Sequence, residues 1–94
     1  MKETEAQKEA EQIALHLFDD YDNVYEWVED QLSIEYYYDQ DGVPVAVKIW
    51  ITCGGPNVFL DTVSCHLTFA WGSVGIALLD RDIVEDIHAA LGIN

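Results

Sequence analysis

Carboxylates are the residues with the most chemistry to offer in this sequence. Asp19, Asp20, Asp22, Glu26, Glu29, Asp30, Glu35, Asp39 and Asp41 follow one another, and no Lys or Arg occurs between residues 10 and 47. Carboxylates at this density either chelate a hard cation or pair with the guanidinium and ammonium groups of a partner. Chelation fails on spacing. "DDYDN" and "DQDG" resemble pieces of a calcium loop, but such a loop needs a glutamate at its twelfth position. Counted from Asp20 that position is Gln31, and counted from Asp39 it is Trp50. Only loose, unspecific attraction of cations is left.

Pairing with a basic partner fits better. Asp22, Glu26 and Glu29/Asp30 recur about one helical turn apart, roughly 6 Å of rise per four residues. Glu35, Asp39 and Asp41 continue the run on an adjoining strand and turn, and Asp19 and Asp20 precede it. Duplex DNA carries one charge per roughly 1.7 Å of axis, or about 3.4 Å on each strand. These carboxylates, spread over a surface of about 20–30 Å, reach a density of that order. A protein that grips DNA through Lys and Arg would meet a similar field here. Tyr21, Tyr25, Trp27 and Tyr37 stand among the acids and offer faces for arginine stacking. The expected partner-binding set is therefore the nine acids with Tyr25 and Tyr37.

The charge is local. Residues 1–41 hold thirteen Asp/Glu against Lys2 and Lys8, a net of −11, and residues 42–94 hold five against Lys48 and Arg81, a net of −3, together the −14 of the chain. Such a protein avoids nucleic acid and anionic membranes and is drawn to basic proteins.

Other chemistries find no footing. His16, His66 and His88 fall on three separate elements with no nucleophile at a recognisable spacing, and no GxSxG, HExxH, P-loop or dinucleotide fingerprint occurs. Adjacent Cys65 and His66 would point to opposite faces of one strand. "GGPN" at 54–57 neither opens a helix nor precedes a lysine, so it reads as a hairpin connection and not a phosphate cradle. Cys53 and Cys65 belong to no CxxC and read as reduced, buried small hydrophobes. No catalysis, cofactor or metal is expected.

The elements that carry the acids follow from periodicity. Ala6, Ala10, Ile13, Ala14, Leu17 and Phe18 give residues 3–18 a helical apolar face. Asn23, with Glu26 three residues on, forms a capping box for a second helix over about 23–31, with Val24, Trp27, Val28 and Leu32 inward. From Ser33 the period becomes two. "SIEYYYD" is a strand, "DQDG" a turn with Gly42 available for positive φ, and "VPVAVKIWITC" the clearest strand of all. In that strand Val43, Val45, Val47, Ile49, Ile51 and Cys53 alternate with Ala46, Lys48, Trp50 and Thr52. "VFLDT" and "CHLTFAWG" follow, the latter with Cys65, Leu67, Phe69 and Trp71 inward, and "VGIALL" offers a short further strand. Asp80 or Asp82 caps a last helix to about Leu91, with Ile83, Val84, Ile87 and Leu91 inward and Gly92 as its stop. The expected architecture is a single α+β domain over 1–94, with two N-terminal helices, an antiparallel sheet of about four strands and a C-terminal helix, the helices on one face.

A tiny, strongly acidic α+β chain carrying "DDYDNVYEWVED", "YYYDQDG" and "ITCGGPNVFLDT" followed by "WG" resembles the anti-CRISPR proteins of the acidic DNA-mimic type, small inhibitors from phages and mobile elements. The resemblance is one of general character over the whole chain. It implies occupation of the basic DNA-binding channel of a CRISPR effector, without cofactor or catalysis, and a role for the acidic positions in that contact. The N-terminus "MKETEAQKEAEQ" lacks the apolar run of a signal peptide, so the expected place is the cytoplasm of a bacterial host. The alternative is a non-catalytic interaction or scaffold module. It would use the sheet's second face, where Trp50, Phe59 and His66 are expected to lie, and its acidity would serve only solubility. That face is either covered by a helix or the chain terminus, or exposed for a contact.

Overall fold

The computed structural model describes residues 2–93. Helices α1 (Glu3–Leu15) and α2 (Val24–Glu29) precede five strands, β1 (Ser33–Tyr38), β2 (Pro44–Thr52), β3 (Asn57–Asp61), β4 (His66–Trp71) and β5 (Ser73–Leu78), and α3 (Arg81–Ala90) closes the chain. The strands form one antiparallel meander in the order β1-β2-β3-β4-β5. The α+β class and the antiparallel sheet are as expected, but the sheet has five strands and not about four. "VGIALL" belongs to a full strand, β5, as long as β4. Gly72, at φ 73°, reverses the chain between paired Trp71 and Ser73, so β4 and β5 follow one another with a single residue between them.

One row of side chains, Ile34, Ile49, Leu60, Leu67 and Ala77, crosses all five strands on the inner face. Helix α1 lies against the β5 end of that face through Ala6, Ala10 and Ala14, all buried and four residues apart. Small residues let the backbones approach closely. A Cβ on Gly75 would stand 2.1 Å from the Ala6 carbonyl oxygen. Gln7 seals the β5 edge, donating from Nε2 to the Ile76 carbonyl and accepting the Ile76 N–H.

The helix stops at Leu15, short of Phe18, because residues 16–20 turn. Leu17 is then buried and Phe18 packs edge-on to Trp27 at 5.2 Å. Helix α2 spans only 24–29. Asn23 Oδ1 accepts the Glu26 N–H at 3.0 Å, while the Glu26 carboxylate accepts the N–H of Asp22. Trp27 is buried at 2% exposure, whereas Leu32 is 61% exposed. The chain has already turned into β1 there, with the Leu32 N–H donating to the Trp50 carbonyl. Helix α3 contributes Ile87 to the core; Asp80 holds its N-cap position without a side-chain capping bond.

Alternation along β2 holds only from Ala46 to Trp50. Register shifts between Tyr37 and Tyr38, and between Trp50 and Thr52, set an extra residue into each end. Val43, Val45 and Cys53 are therefore exposed, not inward. Cys65 sits before β4 at φ 57° and is part-buried, and both thiols are free. Trp71 is 49% exposed and lies over the Gly55 turn. No helix of the described residues is long and apolar enough to cross a membrane.

Candidate partner-binding surfaces

The acids divide between four places. Asp19 and Asp20 lie in the turn after α1, where Asp19 Oδ2 is 2.6 Å from His16 Nδ1. Asp22 leads into α2. Glu26, Glu29 and Asp30 then line one open concavity of about 430 Å³ together with Tyr21. The Tyr21 hydroxyl donates to Asp30 Oδ2 at 2.5 Å. That hydrogen bond, with some desolvation and the charge of Asp30 behind it, raises the phenol pKa above its usual 10. Tyr25 stands exposed on α2.

Glu35 and Tyr37 point to the outer face of the sheet, opposite the helices. Glu35 accepts the Trp50 indole N–H at 3.2 Å, and the Tyr37 hydroxyl donates to Asp61 Oδ2 at 2.7 Å. The bond to Asp61 is the main reason the Tyr37 phenol is also raised. Asp39 and Asp41 lie in the β1–β2 hairpin, beyond a strand about 17 Å long at roughly 3.3 Å per residue. Asp39 Oδ1 is spent on that turn, accepting the N–H groups of Asp41 and Val43 at 2.8 and 3.0 Å, and Gly42 takes φ 79°. The structure thus gathers Glu26, Glu29 and Asp30, and sets Glu35, Asp39 and Asp41 apart from them along β1.

Little within the protein neutralises these groups. Among the described residues the contacts of a carboxylate with a basic side chain within 4.0 Å are His16–Asp19 and an exposed Arg81–Glu85 contact at 4.0 Å. Such a surface pair contributes about 0–1 kcal/mol. The carboxylates of Asp20, Asp22, Glu29 and Asp41 have no hydrogen-bond partner there.

The outer face is open. The inner residues of the strands and the buried residues of the helices form one cluster, so the helix layer lies on the inner side alone. Register builds two outer rows. Glu35, Lys48, Asp61, His66 and Leu78 make the first, and Ser33, Trp50, Phe59, Thr68 and Ile76 the second. Trp50 and Phe59 pack with their rings tilted at 44° and centroids 4.7 Å apart, and Lys48 Nζ stands 4.6 and 4.5 Å from the two ring centres. At the β5 edge Ile76 and Leu78 are 48% and 76% exposed.

Asp61 is absent from the set expected from sequence, and Tyr21, expected there only as a stacking face, is tied to Asp30 by its hydroxyl. Asp61 comes to the Glu35 face only through the β1–β2 and β2–β3 registers, across Lys48, and Tyr21 meets Asp30 only because the connection after α1 brings its hydroxyl to the end of α2. Tyrosine and carboxylate nine residues apart, as Tyr21 and Asp30 are, carry no such signal in the sequence. Of the histidines, His88 makes the most specific contact. Its Nε2 is 2.8 Å from Thr62 Oγ1, and burial lowers its pKa from the usual 6.5. The Thr62 hydroxyl also accepts the Val47 N–H at 2.9 Å, so this contact ties α3 to the sheet. Among the described residues no three His, Cys, Asp or Glu side chains are disposed to hold a metal ion.

Comparison with known proteins gives no match to a protein family, to a curated protein or to a solved structure.

Proposed function

We propose that this protein is a small inhibitor that binds a basic, nucleic-acid-binding partner by presenting carboxylates where that partner expects phosphates. The DNA-binding groove of a CRISPR effector is the partner class, in keeping with the anti-CRISPR resemblance, and the bacterial cytoplasm the place of action. One observation carries the reading. A net charge of −14 is left almost unpaired by the protein itself, and Glu26, Glu29 and Asp30 converge on an open concavity instead of being dispersed. Self-repulsion of this kind costs stability, and arginines from a partner relieve it through charge-assisted hydrogen bonds. The contact needs neither cofactor nor catalysis.

The test is charge reversal. Glu26→Lys, Glu29→Lys and Asp30→Lys together abolish displacement of labelled DNA from purified CRISPR effectors, while circular dichroism stays that of the parent. Displacement by the folded triple variant at parental strength would end the proposal.

A second reading is supported by the open sheet face. With Trp50, Phe59 and Ile76 on an uncovered surface, the protein acts as a non-catalytic interaction module whose contact is apolar. In that case Trp50→Ala weakens the contact and added salt does not.

A further inference from the structure

The period-two alternation of β2 places Lys48 and Trp50 on the same face, and the β2–β3 register sets Phe59 beside Trp50 and Asp61 beside Lys48. Glu35 lies opposite Lys48 on the other side. Side chains directly opposite on neighbouring strands have Cβ atoms about 5 Å apart, within reach of a long lysine. Lys48 nevertheless pairs with neither carboxylate within 4.0 Å and instead lays its ammonium over both aromatic rings. A cation therefore already sits on this platform, beside two carboxylates it does not neutralise. Glu35 is held in place by the Trp50 indole through Oε2, which leaves Oε1 without a hydrogen bond.

We propose that the outer sheet face is an arginine-docking platform. Trp50 and Phe59 receive a partner's guanidinium, and Glu35 pairs with it through its free Oε1. Asp61, whose oxygens already accept from Tyr37, Val63 and Ser64, adds only nearby negative charge. Lys48 is a built-in stand-in that the partner displaces. The inference rests on the reading that the partner is basic and names a second place where it is gripped. Guanidinium fits better than ammonium because it is planar, stacks on aromatic rings and pairs with carboxylate in a fork. Exposed Ile76 and Leu78 flank the platform and accept apolar neighbours of the arginine. Charge complementarity selects this occupant over a second copy of the chain. Two copies would each bring −14, and their Glu35 and Asp61 carboxylates would meet across the contact.

The experiment follows the indole N–H resonances of the full chain by NMR during titration with hexa-arginine and, separately, hexalysine. Trp27, in α2, reports binding there, and Trp71 reports that the fold persists. Hexa-arginine should shift the Trp50 resonance and bind more tightly than hexalysine. Lys48→Met should tighten hexa-arginine binding about two- to five-fold, the equivalent of one exposed cation–π contact. That gain should vanish in a Trp50→Leu background. Equal tightening in both backgrounds would reduce Lys48 to a plain positive charge and overturn the proposal. A Trp50 resonance that moves with protein concentration alone would put a second copy on the face and overturn it too. Binding confined to α2, with Trp50 unmoved, would overturn the platform and leave the basic-partner reading standing. Absence of binding by either peptide at low salt would overturn both.

Discussion

Gly75 of β5 lies directly beneath Ala6 of α1, so close that a Cβ on the glycine would stand 2.1 Å from the Ala6 carbonyl oxygen. Backbone atoms cannot rotate away as a flexible side chain does, so any larger residue at position 75 must lift the helix. The acids at the end of α1 would move with it. Gly75→Ala is expected to cost on the order of 3 kcal/mol, the upper end of ordinary overpacking. Gly42→Ala has open space around its Cβ and bears only the strain of φ 79°, about 1 kcal/mol. Urea denaturation of the two variants checks the difference.

His88 gives the fold a mild acid sensitivity. Burial lowers its folded pKa below 6.5, so in acid the unfolded chain takes up a proton that the native protein resists. Unfolding free energy should fall as pH drops from 6.5 towards the lowered folded value, and stay level above 6.5 as far as this residue is concerned. His88→Gln, whose amide can still reach Thr62 Oγ1, should flatten that part of the profile. The check is urea unfolding of both proteins from pH 7.5 to 5.5.

Two tyrosines should ionise late. The hydroxyls of Tyr21 and Tyr37 donate to Asp30 and Asp61, and both phenol pKa values lie above 10. The stabilisation from each bond is complete below pH 10 and is lost as pH rises through the raised folded value. Phenolate absorbance should show a late-titrating fraction that shrinks with Tyr21→Phe and shrinks again with Tyr37→Phe added.

Salt should stabilise the free protein. The Debye length shrinks from about 30 Å at 0.01 M to about 3 Å at 1 M, which removes most repulsion between unpaired carboxylates. Thermal unfolding in sodium chloride should move upward over that range. Asp20→Asn with Glu29→Gln should raise the low-salt midpoint and reduce the gain from salt.

Local signals in the sequence were dependable where the chain alone decides the outcome. Asn23 caps α2 through the Glu26 N–H as its spacing requires, although the Glu26 carboxylate takes the Asp22 N–H and not that of Asn23. The alanines of α1 face inward, and β2 keeps its register with β1 from Ala46 to Trp50. What failed depends on a second strand or helix. The extra residues at the ends of β2 exist only relative to β1 and β3, and they put Val43, Val45 and Cys53 outside. "VGIALL" reads as only a short further strand because a one-residue reversal at Gly72 gives far less turn signal than a loop, whereas β5 pairs with β4 along its whole length. The acids were legible as a charge density but not as a shape. Strand parity sends Glu35 to the face of Trp50, while Glu26, Glu29 and Asp30 stay with Tyr21.

In the proposed function a basic nucleic-acid-binding groove takes this protein in place of nucleic acid. The most direct test of that is competition between the protein and labelled duplex DNA for a purified CRISPR effector, measured at 50 and 200 mM salt. The expected result is stoichiometric displacement of DNA at the lower salt, with the protein's affinity for the effector falling steeply at the higher. DNA that stays bound across a panel of effectors, or an affinity for the protein that salt leaves unchanged, would contradict the account.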